Sequence, residues 1–459
     1  MPRTAWHNPT FISAPHRKET WVRIKNMAGQ NLSTLLGKSL PPAWLDLMRD
    51  ISAQAATLGM PIYLVGGFVR DLLLGQSGLD FDLVVEGDAI ALARSLAVRY
   101  GGKVTTHAKF KTAKLDIGKW GIVNRGSSQE ARAQPLFPID LITARSEIYK
   151  HPAALPAVKM GKITDDIQRR DFTINAMAIR LDGNHWGELL EPLGGREDLK
   201  RGLIRVLHAD SFIDDPTRLV RAVRYEKRYA FSIAAETLQS IPDARLVIEK
   251  LSAERIRHEL DLILDEPGAA SMLERLAELD LLDPIHSALQ WDQAAERRMR
   301  QETSTPSYPV PYFSIRNLRW ILWLMTIPVA EIMSLNSRLQ FEAGLFKSLS
   351  AARALFGDLD SFSQLKPSQY VDKLEGLPLL AVYAAFCAAP DGEIKYALDK
   401  YLAEWRHVKP KTTGHDLKKL GLEPGPKYQT ILRELRDAWL NGDISTAQQE
   451  KILLEKLTE

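Results

Sequence analysis

A single cysteine, Cys387, stands among 459 residues. It excludes an intramolecular disulfide and any cysteine-based zinc site. Its setting, AVYAAFCAA, makes it a small core residue. Long hydrophobic runs are missing too. The most apolar stretch, Trp320 to Val329, is too short to cross a membrane and contains Pro328. An excess of one charge is equally absent: 60 Lys and Arg face 57 Asp and Glu, a net of +3. Nucleic acid would therefore have to meet local patches, not a uniformly basic surface. No secretory signal is expected from this sequence. The N-terminal stretch is basic, but Pro2, Pro9 and Pro15 oppose the amphipathic helix of a transit peptide. The expectation is a cytoplasmic protein with a loose, irregular arm over residues 1–40. An apolar fraction of 45% and a charged fraction of 25% are ordinary for a globular chain. The length suggests roughly two to four domains.

The stretch that organises the chain is LVGGFVRDLLLGQSGLDFDLVV, from Leu64 to Val85. It reads as strand, glycine turn, short helix, loop and strand. Gly66 and Gly67 lack side chains, so backbone N–H groups can approach a phosphate closely. A helix from Phe68 to Leu74 would point its N-terminus at the same spot, with Arg70 adding fixed positive charge and Gly75 closing the helix. On the second strand, Asp80 and Asp82 share one face because strand side chains alternate. Two neighbouring carboxylates repel unless a cation sits between them, and oxygen ligands favour Mg²⁺. Read alone, such a pair is more simply an acidic turn; the phosphate-type turn upstream tips the reading towards a metal site.

Residues 66–75, G-G-x-V-R-D-x-L-L-G, followed by D-x-D, resemble the first motif of class II tRNA nucleotidyltransferases and bacterial poly(A) polymerases, in the polymerase-β-like nucleotidyltransferase superfamily. The resemblance implies an α+β fold: an N-terminal nucleotidyltransferase head with a small β-sheet, mixed or antiparallel, then an all-helical neck, body and tail. It divides the chain into an arm (1–40), head (41–208), neck (209–290), body (291–405) and tail (406–459).

The remaining stretches are read against that expectation. AWLDLMRDISAQAATLG and AIALARSLAVRYGG have helical spacing, and VTTHAKFKTAKLDIG alternates as a strand or hairpin. Residues 118–137 are polar and read as a loop. PIDLITAR returns to strand, where an adjacent antiparallel strand would bring Asp140 beside Asp80 and Asp82; the resemblance makes Asp140 the third metal carboxylate. The alternative is an Asp on a strand's solvent face. Arg145 to Gly161 holds Pro152, Pro156 and Gly161 and reads as a flexible loop; in the family this stretch is mobile and influences the switch between bases. DDIQRRDFTINAMAI, Asp165 to Ile179, reads as one helix, and R-R-D-F-T-I-N-A matches the second motif. The resemblance assigns Arg170 and Asn175 to the triphosphate and sugar, and Asp171 to the ribose. In the third motif, the Gly194–Gly195 turn and Asp198 look architectural, fixing a joint between domains.

DDPTRLVRAVRYEKRYAF opens with Asp214, Asp215 and Pro216, good helix-start residues, so a capping role alone would account for Asp215. It would not account for Arg218, Arg221 and Arg224, which share one broad helical face and repel unless an anion lies opposite. A triphosphate would supply it. The resemblance makes Asp215 and Arg218 the readers of the incoming base, with no nucleic-acid template. A carboxylate accepts from the exocyclic amine of C or A, and a guanidinium donates to the adjacent ring nitrogen. Asp214 stands where the family usually has Glu. SAERIRHELDLILDEP resembles the fifth motif, with Ser252 as a cap. From about Ala270 the pattern is helical, broken at residues 303–312. The C-terminal KPKTTGHDLKKLGLEPGPKYQ combines Lys409, Lys411, Lys418, Lys419 and Lys427 with a glycine turn, which is either a solvated basic face or a phosphate-backbone contact. In the family the tail grips the tRNA elbow.

Taken together, the resemblance implies a Mg²⁺-dependent enzyme adding C, C and A to tRNA 3′ ends from CTP and ATP. CC-only or A-only addition and poly(A) synthesis share the same motifs. A non-catalytic RNA-binding protein is the reading from a different class. Asp80, Asp82 and Asp140 are the expected metal and catalytic residues. Gly66, Gly67, Arg70, Arg170, Asp171, Asn175, Asp215, Arg218, Arg221 and Arg224 are the expected nucleotide-binding residues.

Overall fold

The computed structural model describes residues 31–76, 82–116, 138–149, 151–154, 156–303 and 313–458. The expected loop over 118–137 and the break over 304–312 lie outside the described residues, as does most of the N-terminal arm. The chain forms two compact units, residues 1–251 and 252–459.

The first unit is built on a seven-stranded sheet. Before it come α1 (Ser33–Ser39) and α2 (Pro42–Thr57). The irregular arm therefore ends earlier than expected. Leu35 and Leu36 are buried, and Asn31 Oδ1 accepts from the Ser33 amide at 2.8 Å, so burial and a side-chain bond order this segment. The sheet strands are β1 (Ile62–Val65), β2 (Asp82–Val85), β3 (Lys103–His107), β4 (Thr112–Asp116), β5 (Ile139–Thr143), β8 (Ala178–Arg180) and β9 (Leu189–Leu190), in the order β3-β4-β5-β2-β1-β8-β9. Between β1 and β2 runs α3 (Gly67–Leu73), and α4 (Ala89–Tyr100) follows β2. The Asp88 carboxylate caps α4 by accepting from Ile90 and Ala91 amides.

β1 pairs antiparallel with β2, but β2 and β5 are parallel. This corrects the antiparallel placement expected for the Asp140 strand. The chain leaves β2 through α4 and the β3–β4 hairpin and re-enters at the same end of the sheet, as a crossover requires. The sheet is therefore mixed. One face buries Tyr63, Val65, Val84 and Ala178 beneath Ile163 and Ile167 of α5 (Ile163–Gln168). On the opposite face α4 covers β4 and β5.

Two further expectations are corrected. Arg145–Gly161 is not structureless: β6 (Arg145–Ile148) and β7 (Ala157–Met160) pair antiparallel, with Pro152 and Pro156 confined to their connection. The single helix expected over 165–179 is instead α5, a 3₁₀ turn at Thr173–Asn175 and strand β8. The Asp171 carboxylate accepts from the Phe172 amide at 2.8 Å, and the Thr173 amide donates to Arg205 O at 2.9 Å. These bonds draw the backbone away from helical pairing.

The unit continues with α6 (Gly195–Arg201), β10 (Leu203–Ile204), α7 (Ser211–Asp214), α8 (Thr217–Arg228) and β11 (Ser232–Ile233), β10 and β11 forming a parallel pair. Asp198 accepts from Thr173 Oγ1 at 2.7 Å and from Arg205 Nε at 3.0 Å. A Cβ on Gly195 would lie 2.2 Å from Thr173 O. The third motif thus braces the second.

The second unit contains helices and no strand among its described residues. Ser252 Oγ accepts from the Arg255 amide, capping Ala253–Asp265 as expected. Trp320 and Trp323 stack at 5.4 Å in its core, their indoles donating to Asp261 and to Gln290 O. Cys387 is buried on Leu379–Ala388. The last helices, Gly414–Lys419, Pro426–Asn441 and Ala447–Thr458, pack around Leu417, Ile431, Leu435 and Leu454.

Candidate active site

The end of β1, the start of β2 and the approach to β8 meet at one end of the sheet. Gly66 there has φ +68° and ψ −129°, a conformation that L side chains rarely adopt. Its amide donates to Met177 O at 3.1 Å, and a Cβ would fall 2.3 Å from Arg170 Nη1. The glycine therefore lets Arg170 lie directly against the turn. Gly67 opens α3, and Gly75, at φ +76°, closes it.

Arg70 is buried on α3. It forks onto Asp71 at 2.8 and 2.9 Å and donates to Asn175 Oδ1 at 2.6 Å. Tyr225 of α8 and Tyr229 just beyond its end hold its guanidinium 5.3 and 4.7 Å from their ring centroids. Asn175 passes the contact on, donating through Nδ2 to Asp171 Oδ1 at 2.9 Å, while Asp171 Oδ2 accepts from Arg221 at 2.6 Å. Burial works against a charge on Asp171, but Arg221, Asn175 and Arg218 outweigh it and hold the carboxyl below its usual range. Burial likewise opposes ionisation of the Tyr225 phenol, yet Arg221, Arg70 and Arg224 together lower it.

A second carboxylate, Asp166, is fully buried on α5. Its Oδ1 accepts from Arg169 at 2.7 and 2.9 Å, and its Oδ2 from Arg170 at 2.8 and 3.3 Å. Arg169 also donates to Glu147 of β6 at 3.1 Å, and the Tyr149 hydroxyl donates to the other Glu147 oxygen at 3.0 Å. Arg169 O then accepts from Arg218 Nη2 at 2.9 Å, while Arg218 Nη1 donates to Ser211 Oγ at 2.6 Å. Asp215 Oδ1 accepts from the amide and hydroxyl of Thr217, in a turn that leads into α8, whose N-cap position is Pro216 and not Asp215. Arg224 lies 5.4 Å from the Tyr225 ring centroid. The three arginines of α8 thus already have partners within the chain.

Asp82 and Asp140 are register partners on parallel strands, which puts their side chains on one face. Asp82 is exposed and Asp140 half-exposed. Adjacent hard oxygen donors open to solvent suit a divalent cation such as Mg²⁺. Asp80 lies outside the described residues, and among those described no three acidic, His or Cys side chains come together to hold a metal.

The structure therefore gathers Gly66, Gly67, Arg70, Arg170, Asp171, Asn175 and Arg221 into one connected cluster, with Arg218 joined through Arg169. The sequence reading missed Asp166, Asp71, Glu147, Ser211, Tyr225 and Tyr229. Two were legible in spacing. Asp166 stands three and four residues before Arg169 and Arg170, and Tyr225 stands four after Arg221.

Comparison with known proteins gives the chain its place. Residues 62–205 match the poly A polymerase head domain, and residues 230–291 match the probable RNA and SrmB-binding site of polymerase A. An A-adding tRNA nucleotidyltransferase of Halalkalibacterium halodurans is 33% identical over 91% of this chain and 93% of its own length. A CC-adding tRNA nucleotidyltransferase of Deinococcus radiodurans is 30% identical over 90% and 92%. An A-adding enzyme of Geobacter sulfurreducens is 30% identical over 93% of this chain, which spans only 48% of that protein. The solved apo form II of a CCA-adding enzyme superposes with a TM-score of 0.78 at 29% identity, covering 94% of this chain and 98% of that one. The Thermotoga maritima CCA-adding enzyme complexed with tRNA gives 0.73 at 28%, with the same coverage. An identity of 33% running through nearly the whole of both proteins places this chain in the tRNA nucleotidyltransferase family, and so among the enzymes that transfer nucleotides.

Proposed function

We propose that this enzyme extends the 3′ end of tRNA from nucleoside triphosphates, with a protein pocket in place of a nucleic-acid template. The observation that carries the reading is the Gly66 turn with Arg70 and Arg170 packed at the same sheet end as Asp82 and Asp140. Anion-binding groups and a paired-carboxylate site lie side by side, as phosphoryl transfer needs. In this reading Gly66, Gly67, Arg70, Arg170, Arg221 and Arg224 receive the triphosphate. Asp171 and Asn175 orient the ribose. Asp215 and Arg218 read the base: the carboxylate accepts from an exocyclic amine, and U and G place a carbonyl there instead. Leaving such buried groups unpaired costs on the order of 1–3 kcal/mol each, which supports rejection of U and G. Serine and carbonyl contacts fix one edge of the Arg218 guanidinium, so its orientation is set before the base arrives.

The family generally uses divalent metal. Asp82 and Asp140, with Asp80, would hold Mg²⁺, which supplies activation of the attacking hydroxyl and neutralises charge on the transferred phosphoryl group. The head, neck, body and tail divisions belong to the same proposal, with the lysine-flanked turn near Gly421 and Gly425 meeting the RNA backbone.

Addition of the terminal A is the first reading, because a relative matched over nearly its full length at 33% identity is named as A-adding. Full CCA addition, expected from the motifs, is the second, favoured by the CCA-adding structures. Purified protein given CTP and ATP with tRNAs ending at the discriminator base, at C or at CC separates them. An A-adding enzyme extends only the CC-ended substrate; a CCA-adding enzyme extends all three. Extension of none refutes the proposal in favour of RNA binding without catalysis.

A further inference from the structure

We propose that the outward face of the β3–β4 hairpin docks the sugar–phosphate backbone of the RNA strand whose 3′ end is extended. The inference rests on the functional reading above and adds a surface to it. Register fixes the geometry. Asp82 is opposite Asp140, Asp140 opposite Lys114, and Lys114 opposite Thr105, so these four residues form one row across β2, β5, β4 and β3. At a strand spacing of about 4.8 Å, the row spans roughly 14 Å from the first carboxylate to Thr105. Lys103, Thr105 and His107 of β3 and Thr112, Lys114 and Asp116 of β4 share this face, and all but the half-buried Thr112 are exposed. The opposite face turns Ala113 and Leu115 inward.

Charge on this surface is concentrated. Residues 103–116 hold four lysines and one aspartate, a net of +3 with His107 neutral. The whole chain carries +3, so the other residues sum to zero. The tip is held in place: Phe110 O accepts from Arg145 Nη1 at 3.1 Å, and Lys111 O from the Thr143 amide at 3.1 Å. It presents Phe110, 40% exposed, with Lys109 Nζ 5.8 Å from its ring centroid. A fixed aromatic with flanking cations is what single-stranded nucleic acid stacks on and runs along.

Lysines also guard sheet edges against aggregation. That role accounts for Lys103 on the edge strand. It does not account for Lys114, which lies on an interior strand with Asp140 for its neighbour. The Lys114–Asp140 pair is 3.8 Å apart and half-exposed on both sides. Such a pair contributes little, so Lys114 can leave it for a phosphate at small cost.

The test uses the full chain and a CC-ended tRNA, with affinity measured without nucleotide between about 50 and 200 mM salt. The variants are Lys103→Ala/Lys114→Ala, Lys109→Ala/Lys111→Ala and Phe110→Ala, each checked for an unchanged melting temperature. Each double variant is expected to make the slope of log affinity against log salt shallower by about 1.4, from roughly 0.7 per single-strand phosphate contact. Phe110→Ala is expected to weaken binding at least fivefold, from the loss of stacking on the order of 1–3 kcal/mol per base. The KM for ATP should stay within twofold. Unchanged slope and affinity in folded variants overturn the docking surface and leave edge protection as the role of these lysines. A wild-type chain that neither binds tRNA nor extends it overturns the functional reading, and this inference with it.

Discussion

Replacing Asp166 by Asn tests the cluster at its most constrained point. The carboxylate is fully buried and divides its oxygens between Arg169 and Arg170, whose side chains are only 17% and 14% exposed. Asparagine keeps the volume but removes the charge and turns one acceptor into a donor facing an arginine. Arg169 keeps Glu147 at 3.1 Å, so the damage falls mainly on Arg170. Breaking a buried pair by removing one partner costs about 3–5 kcal/mol. The surviving amide oxygen holds the estimate near the lower bound, about 3 kcal/mol, or more than a hundredfold in the local equilibrium. Arg170 also loses what presses it onto Gly66, so nucleotide binding should weaken with stability. The assay is thermal unfolding by circular dichroism beside steady-state kinetics. The expected result is a lower transition for the first unit and a KM for ATP raised at least tenfold. Asp166→Glu should recover part of the binding if orientation is what matters. An Asn variant with unchanged melting and unchanged KM refutes the reasoning. The same carboxylate sets an acid limit. Burial opposes its charge, but Arg170 and Arg169 outweigh burial and hold its carboxyl below the usual range. A depressed folded-state pKa stabilises fully above the unfolded value, about 4, and that stability disappears as pH falls through the folded value. Acid titration of the wild type should show this loss below about pH 4, and the Asn variant should lack its share of it.

Gly66→Ala places a Cβ against Arg170 and forces an alanine to a positive φ, so we expect a loss on the order of 1–3 kcal/mol and weaker ATP binding, read by melting and KM. In the second unit, Glu450 accepts from the amides of Lys411 and Thr412, the Thr412 hydroxyl and the Trp439 indole. Glu450→Gln keeps one oxygen and should cost about 1.5–3 kcal/mol, seen as faster proteolysis near residues 409–413. Burial raises the Cys387 thiol to about 12, so a thiol reagent at neutral pH should label it only after unfolding.

What the sequence made legible was local. The strand–glycine–helix unit at Ile62–Leu73, the hairpin of β3 and β4 and the cap at Ser252 follow from spacing and backbone chemistry within a few residues. What it hid depends on partners distant in sequence. Parallel pairing of Asp82 with Asp140 is set by a crossover more than 50 residues long. DDIQRRDFTINAMAI has a helical pattern, yet Arg205 O and the Asp171 side chain compete for its amides, and β1 recruits its last residues as a strand. The prolines of Arg145–Gly161 marked a connection, and the strands flanking it pair in a register that sets Glu147 opposite Val158.

The arginines show why the difference matters. Read along the helix, Arg218, Arg221 and Arg224 are three cations awaiting an external anion. In the folded chain a buried cation without a partner would be too costly, so each is met internally. Arg221 meets Asp171, Arg218 meets Ser211 and a carbonyl, and Arg224 meets an aromatic face. On the proposed reading, an incoming triphosphate would have to exchange partners and not fill a vacant field. Exchange is easiest where the side chain reaches water, and at 34% exposed Arg221 is far more open than Arg218 or Arg224. Through Asp171, any movement of Arg221 is felt by Asn175 and by the buried Arg70. On that reading, three hydrogen bonds link the rim, where the charge would arrive, to the Arg70 beside the glycine turn.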